Sequence, residues 1–251
     1  MKFYTLASGS KGNATLVVHQ GQALLIDMGL TLTLLKERLQ TTPYNLEHIQ
    51  AILYTHNHSD HLKPLKAFPV EMCYATKETY DVPEANQLTP YQTYKIAGFD
   101  VTVLPTSHDA NNSVGYVLEI GGEKLVYMTD TGYISERNIA YMKDADYYII
   151  ESNHNIRMLL KTNRPYDLIQ RILGDSGHLS NEDTAMYLTE MIGSNTKEIV
   201  LAHISEEANT PEVALATCLK IFRSQHVPLN QLLIRAAPQW EVLAGGNPNE
   251  N

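Results

Sequence analysis

Three histidines and one aspartate lie within six residues of one another: His56, His58, Asp60 and His61. They follow the apolar residues 51–54, which predict a buried strand. Side chains alternate along an extended segment, so His56 and His58 point to the same side. Imidazole and carboxylate groups at this spacing are typical of metal ligands, whereas packing alone needs no such cluster. We call residues 55–61 the histidine corner, and we expect it to bind metal.

Four more histidines and aspartates fall just after predicted strands: Asp27, His108, Asp130 and His203. Taken singly, each is typical of a turn or a cap. Polar groups gathered at one edge of a sheet, however, are where α/β folds usually place active sites. Together with the corner, these residues complete a set of ligands for two metal ions. One ion would be held by His56, His58 and His108. The other would be held by Asp60, His61 and His203, and Asp130 would bridge the two. Such a set leaves open positions for water and substrate, as catalysis requires.

The order of predicted elements favours an α/β fold. Apolar strand runs alternate with helices, which indicates two packed sheets with helices on both outer faces. The two halves of the chain look alike, since each has several strands, then helices, then a strand ending in histidine. We predict a single domain over residues 1–244, a short helix over residues 61–67, and a disordered tail over residues 245–251.

Composition excludes several classes of protein. The chain has 251 residues and a formal net charge of −9, which argues against coating nucleic acid by bulk electrostatics. No apolar run is long enough to span a bilayer, and we expect no membrane partner. The first residues turn polar too quickly for an export signal. The two cysteines are isolated and do not suggest a disulfide framework. Together with the polar N-terminal residues, they predict a cytoplasmic protein.

The corner, together with Asp27, His108, Asp130 and His203, resembles the metallo-β-lactamase superfamily over residues 6–235. Segments 6–15, 151–155, 174–181 and 201–205 resemble the YycJ/WalJ-type (VicX) branch, and PhnP-type phosphodiesterases and RNase Z are similar in motif order. The resemblance implies a four-layer αββα sandwich, a cytoplasmic setting beside a cell-wall two-component system, and exonuclease action on DNA. His58 replaces the glutamate typical of flavo-diiron proteins, so a redox di-iron site is not expected.

The hypothesis for mechanism is phosphodiester hydrolysis, here as a 5′-exonuclease on DNA. Two divalent ions (Zn, Mn or Fe) would hold a bridging hydroxide as nucleophile. Asp60 would bind metal and orient that hydroxide, and Asp27 would fix a ligand loop. His178 lies at the predicted entry to a helix, where an anionic group is favoured, and is the candidate proton donor to the leaving oxygen.

Other residues are candidates for substrate binding or for support of the ligands. Ser152, Asn153 and His154 form one such group. Arg164 and Arg171 belong to a basic run with Arg157 and Lys161, which either tracks a phosphate backbone or forms a solvated helix face. Two other functions stay open: hydrolysis of another small substrate (a cyclic phosphodiester, a thioester or a lactone), and a metal-bearing regulatory protein without turnover. The sequence leaves the oligomeric state undetermined.

Overall fold

The computed structural model describes residues 1–63 and 68–249. Within these ranges the strands are β1 (Lys2–Ala7), β2 (Ala14–His19), β3 (Gln22–Ile26), β4 (Ala51–Leu53), β5 (Cys73–Thr76), β6 (Gln87–Leu88), β7 (Thr93–Ile96), β8 (Phe99–Pro105), β9 (Val114–Ile120), β10 (Glu123–Met128), β11 (Tyr147–Glu151), β12 (Glu198–Ala202), β13 (Leu233–Ala236) and β14 (Leu243–Gly246). The α-helices there are α1 (Leu32–Leu39), α2 (Glu136–Met142), α3 (Ile156–Leu159), α4 (Tyr166–Leu173), α5 (Asn181–Met191) and α6 (Pro211–Ser224).

The strands of the described ranges form two seven-stranded sheets. The first has the order β14-β1-β2-β3-β4-β5-β6, and the second has the order β13-β12-β11-β10-β9-β8-β7. In the first sheet, the pairings from β14 to β3 are antiparallel and those from β3 to β6 are parallel. In the second, the pairings from β7 to β10 are antiparallel and those from β10 to β13 are parallel. The likeness of the two halves therefore extends to strand pairing.

Three packed layers of apolar side chains hold the sheets and helices together. The central layer joins both sheets, with Phe3 and Leu24 from the first and Phe99 and Ile149 from the second. A second layer packs the second sheet against α2, α5 and α6. A third packs the first sheet against α1, through Leu35 and other residues. The four-layer αββα sandwich expected from the sequence is confirmed.

Helix starts follow their capping residues. The Ser180 side chain accepts a hydrogen bond from the backbone N–H of Asp183 and caps α5. Thr31 caps α1 in the same way, through the N–H of Leu34. No helix within the described ranges has the length and apolarity needed to cross a membrane.

Two local predictions are wrong where each begins. Gly245 and Gly246, assigned to a disordered tail, lie in β14 and pair with Phe3 and Lys2 of β1. This pairing satisfies the backbone groups of β1, which would otherwise be an open edge. In the predicted helix over residues 61–67, His61 lies in a turn and Leu62 forms a bridge with Met28. The remainder of that helix, residues 64–67, and the last residues of the tail, 250–251, lie outside the described residues.

Two loops clamp the histidine corner in place. The N–H of Asn13 donates to the Asp60 carbonyl at 2.7 Å, and the N–H of Met28 donates to the His61 carbonyl at 2.8 Å. The N–H of Gly29 donates to the Asn13 carbonyl at 2.9 Å. The backbones approach so closely that a Cβ on Gly29 would overlap the Asp60 carbonyl oxygen. Glycine at this position is therefore required by space.

The second half contains a matching turn. Asp27 and Gly29 follow β3, and Asp130 and Gly132 follow the equivalent strand β10. Asp27 has φ 61° and Asp130 has φ 54°, a left-handed conformation that is uncommon for residues other than glycine. A Cβ on Gly132 would overlap the carbonyl oxygen of Asp175. Each turn thus sends the chain sharply away from its strand and against a neighbouring loop.

We predict that Gly29→Ala lowers the free energy of unfolding by about 2–3 kcal/mol, because the added methyl group forces the backbones apart. Chemical denaturation measures the change. Gly174→Ala is the matched control, since a Cβ there would come no closer than 3.3 Å to its neighbours. We expect the control to change stability by less than about 1 kcal/mol. Equal effects of the two substitutions would contradict the close approach at Gly29.

Candidate metal centre

The predicted ligands converge where the parallel strands of both sheets end. His56 and His58 follow β4, Asp130 follows β10 and His203 follows β12. His203 also has a positive φ, of 51°. Backbone in this sparsely populated region is found disproportionately at functional sites. The sheet edges thus deliver side chains from both halves of the chain to one place.

The ligand atoms fall into overlapping groups within 4.8 Å of one another. One group is His56, His58 and His108, and another is Asp60, His61 and His203. A third joins Asp130 to His56 and His61, with the Asp130 carboxylate 3.1 Å from Nε2 of His61. The structure therefore brings together the seven residues that the sequence put forward as ligands, in the same two sets, with Asp130 between them.

Three of the histidines are oriented by an acceptor on one ring nitrogen. The contacts are His61 Nδ1 to Asp27 Oδ2 at 2.7 Å, His203 Nδ1 to Glu151 Oε1 at 2.8 Å, and His108 Nδ1 to the Gly177 carbonyl at 3.2 Å. Asp27 also accepts from the backbone N–H and the hydroxyl of Thr55. This pattern, in which one nitrogen contacts a fixed acceptor and the other faces the remaining ligands, is how proteins orient metal-binding histidines.

Unpartnered polar atoms mark the inside of the centre. Nε2 of His56 and Nε2 of His203 are buried and have no hydrogen-bond partner within the described residues. Leaving a buried polar group unsatisfied costs about 1–3 kcal/mol. A divalent cation would remove that cost, and a mixed imidazole and carboxylate set suits zinc, manganese and iron alike. The residues present therefore fit metal ions.

Buried charge governs protonation in the centre. Burial lowers the pKa of both His56 and His108, so each ring is neutral and offers a lone pair. Burial acts in the same direction on His203, but the Asp130 carboxylate overrides it and raises that pKa to about 10. Burial would also lower the pKa of His61, but the carboxylates of Asp130 and Asp27 raise it well above its usual value. Binding of a cation would therefore displace protons from His61 and His203.

Asn13 also reaches the centre. Its amide nitrogen lies 2.9 Å from Nε2 of His61, and its amide oxygen accepts from the backbone N–H of Gly9. Ser8 in the same loop accepts a hydrogen bond from the N–H of His203. The loop after β1 thus supports ligands from both halves. A cation bound at His61 would replace the Asn13 contact.

Glu151 is a central residue to which sequence reasoning gave no role. It is fully buried and accepts from the Nδ1 atoms of His203 and His178, at 2.8 and 2.9 Å, and from the N–H groups of Leu179 and Thr131. Burial alone would raise its pKa, but His178 and the other donors hold the pKa well below the usual range. Its position in the sequence could have indicated this role. Glu151 ends a predicted buried apolar strand, and a buried carboxylate needs hydrogen-bond or charge partners.

His178 lies at the open side of the centre. Its ring is 5.1 Å from that of His108 and 5.3 Å from that of His203, measured between centroids. It lines a cavity of about 390 Å³ together with Asn153, Arg164, Arg171 and other residues. We call this the arginine cavity. His178 therefore stands between the ligand cluster and the space open to a substrate.

The predicted arginines reach this cavity, but both already pair with acids. Nε of Arg164 lies 2.9 Å from Glu207, and Nη1 of Arg171 lies 2.9 Å from Asp109. Arg157 and Lys161, from the same basic run, are exposed on and after α3. Only part of the run is thus placed to meet a substrate at this centre, among the residues described.

Two of the predicted supporting residues lie inside the protein. The hydroxyl of Ser152 donates to Asn181 at 2.7 Å, and both Ser152 and His154 are about 1% exposed. Within the described chain, neither lines the arginine cavity. Burial lowers the pKa of His154 to about 4. Asn153 does line the cavity and donates to the His203 carbonyl at 2.9 Å, so it holds a ligand loop as well.

Comparison with known proteins agrees with the fold and the centre. The family described as the beta-lactamase superfamily domain matches residues 22–204. The chain belongs to this superfamily, and together with the ligand clusters this identifies a metal-dependent hydrolase.

Its relatives include proteins named as exodeoxyribonucleases. The exodeoxyribonuclease YycJ of Bacillus anthracis is 34% identical over 227 residues, which is 85% of this chain and 86% of the relative. The exodeoxyribonuclease WalJ of Streptococcus pneumoniae serotype 2 is 34% identical over 232 residues, or 86% of each chain. The resemblance to YycJ/WalJ-type proteins drawn from the sequence is confirmed.

Solved structures share the fold at low sequence identity. The metallo-β-lactamase fold protein YhfI from Bacillus subtilis has a TM-score of 0.67 at 16% identity and covers 97% of this chain and 99% of its own. A diphosphatase from the PhnP family has a TM-score of 0.63 at 17% identity, over 98% of both chains. The short form of human tRNase Z has a TM-score of 0.64 at 16% identity, over 97% of this chain and 98% of its own.

We predict that Glu151→Gln weakens zinc binding by about 10- to 100-fold, because the amide cannot supply the negative charge that orients His203. Competition with a chromophoric chelator measures the affinity. Glu198→Gln is the matched control, since Glu198 is also buried but pairs with Arg235 at the far end of β12. Zinc affinity unchanged in Glu151→Gln, or lowered equally in both variants, would contradict the assignment.

Proposed function

We propose that the protein is a nuclease-type phosphodiesterase that hydrolyses DNA from the 5′ end with two divalent cations. The observation that carries the proposal is the arrangement of two ligand groups beside a cavity lined by His178, Arg164 and Arg171. Arginine is well suited to bind phosphate oxygens. The two relatives named as exodeoxyribonucleases support the same substrate class.

Each ligand group would hold one cation, with Asp130 shared between them. Bound divalent cations lower the pKa of water to about 7 and offset the charge of a phosphate. The Asp60 side chain is 23% exposed, whereas that of Asp130 is 4% exposed. We therefore assign Asp60 to orient the attacking water, because its carboxylate can meet solvent while it contacts the ligand cluster.

His178 would deliver the proton that the leaving oxygen needs. Its Nδ1 is held by Glu151, which leaves Nε2 for the substrate. The ring is partly exposed on the cavity side, at 20%. Glu151 contacts both His178 and His203, so one carboxylate sets the orientation of the proton donor and of a ligand. Asp27, through His61 and Thr55, would fix the corner.

A phosphodiester matches this cavity better than a thioester, a lactone or a regulatory role without turnover. A thioester or a lactone carries no phosphate charge for Arg164 and Arg171 to bind. A regulatory protein without turnover has no need of an open cavity at its metal ligands. Both cysteines are buried thiols, in keeping with the cytoplasmic setting that we propose.

We predict phosphodiester turnover that depends on added metal. The substrates are end-labelled single- and double-stranded DNA, RNA and bis(p-nitrophenyl) phosphate, each with Mn²⁺, Zn²⁺ or EDTA. His58→Ala should abolish turnover, whereas His48→Ala, an exposed histidine on the Leu46–His48 turn, should leave it unchanged. Absence of turnover with every metal would overturn the proposal.

We predict that His178→Ala slows cleavage of DNA by about 10²–10⁴-fold, because the departing sugar oxygen needs a proton. The loss on bis(p-nitrophenyl) phosphate should be far smaller, since p-nitrophenolate leaves readily without one. Comparing kcat for the two substrates in one variant preparation removes any effect of protein quality. Equal losses on both substrates would show that His178 does not act as the acid.

A further inference from the structure

Trp240 is the single tryptophan of the chain and is 42% exposed. It lies between β13 and β14, where its indole N–H donates to Glu206 at 3.2 Å. The ammonium of Lys11 lies 5.7 Å from the centre of the ring. A large aromatic surface beside a cation is the combination that proteins use to bind unpaired nucleotides.

The segment that carries Trp240 is fixed to the loop after β1. Gln239, which is buried, accepts from the N–H of Lys11 at 3.2 Å and donates to the Gly12 carbonyl at 3.1 Å. A Cβ on Gly9 would overlap the Gln239 side chain. Trp240 and Lys11 are therefore held in a defined relation to each other, and through the same loop to the metal centre.

Two adjoining cavities extend from His178 to Lys11 and Glu206, beside Trp240. The arginine cavity, which His178 lines, includes Ser10, Arg164 and Ser205. A second cavity, of about 230 Å³, shares those three residues and Glu207, and extends to Lys11 and Glu206. Lys11 and Glu206 are the residues that contact Trp240. We call this route from His178 to Trp240 the tryptophan path.

Each cation on the tryptophan path pairs with an acid that has access to solvent. The pairs are Arg171 with Asp109 at 2.9 Å, Arg164 with Glu207 at 2.9 Å, and Lys11 with Glu206 at 2.6 Å. The side chains of Glu207 and Glu206 are 67% and 43% exposed. Ion pairs with such exposure add little to stability, so a phosphate can replace the acid at small cost.

We propose that the tryptophan path binds an unpaired strand of the nucleic acid substrate. Phosphates would replace the acids at Arg171, Arg164 and Lys11, and one base would stack on Trp240. The proposal rests on the proposed function, since it takes the reacting phosphodiester to lie at the metal centre. It adds a requirement for unpaired nucleotides beyond that phosphodiester, and it assigns Trp240 as the residue that meets them.

The fluorescence of Trp240 reports binding directly, because the chain has no other tryptophan. Metal-loaded protein is titrated with a phosphorothioate-linked single strand, which resists hydrolysis, in DNA and RNA forms. We expect saturable quenching by an unpaired strand and little quenching by a blunt duplex. Equal quenching by inorganic polyphosphate, which has no bases, would overturn the stacking.

The matched substitutions are Trp240→Leu and Tyr141→Leu, an exposed aromatic residue on α2. Fluorescence anisotropy of a labelled single strand should show an affinity about 10-fold lower for Trp240→Leu. Tyr141→Leu should bind as the unaltered protein does, and Trp240→Phe should recover part of the loss. Unchanged affinity in Trp240→Leu would overturn the proposal. Quenching without cleavage would instead retain the path and overturn the proposed function.

Glu206→Gln and Glu207→Gln test the exchange of acids for phosphates. Each should raise single-strand affinity by about 2- to 5-fold at low salt, because a competing carboxylate is removed. Asp100→Asn is the control: it removes the same charge from an exposed pair, Lys95 with Asp100, on the β7–β8 hairpin. An equal gain in the control would mean that net charge alone is responsible, and would overturn the exchange.

Discussion

Two buried carboxylates, Asp130 and Glu151, set the arrangement on which the rest of the centre depends. Both are almost fully excluded from solvent, and an unpaired charge there would be strongly destabilising. Their partners come from loops far apart in the chain, including His61, His178 and His203. Satisfying these two charges therefore fixes the relative positions of loops from both sheets. Metal binding would use an arrangement that the protein needs in any case to keep its interior neutral.

Much of the fold and most of the candidate metal ligands could be predicted from the sequence, because the patterns that indicate them are local. Apolar runs marked the strands, and the helix entry predicted beside His178 is the start of α5. The ligands were recognisable because they follow strands that end at one edge of a sheet. His56 and His58 lie in one short segment, so their grouping required only the alternation of an extended chain.

Other features depend on contacts between distant residues, which no local pattern records. Glu151 contacts His203, which is 52 positions away, and its own segment reads as an ordinary strand. Strand β14 ends in two glycines, a composition typical of a tail, and it becomes a strand because β1 pairs with it. Trp240 and Lys11 are likewise far apart in the sequence, and Gln239 brings them together.

The matched turns after β3 and β10 bear on the origin of the site. Sheets with the same order of pairings, and an aspartate followed two positions later by a crowded glycine in each, are what duplication of an ancestral gene segment would leave. Asp27 now supports a histidine from behind, whereas Asp130 faces the ligands. The two turns thus share a backbone shape but differ in role: one supports a candidate ligand, and the other supplies one. The same framework carries both roles.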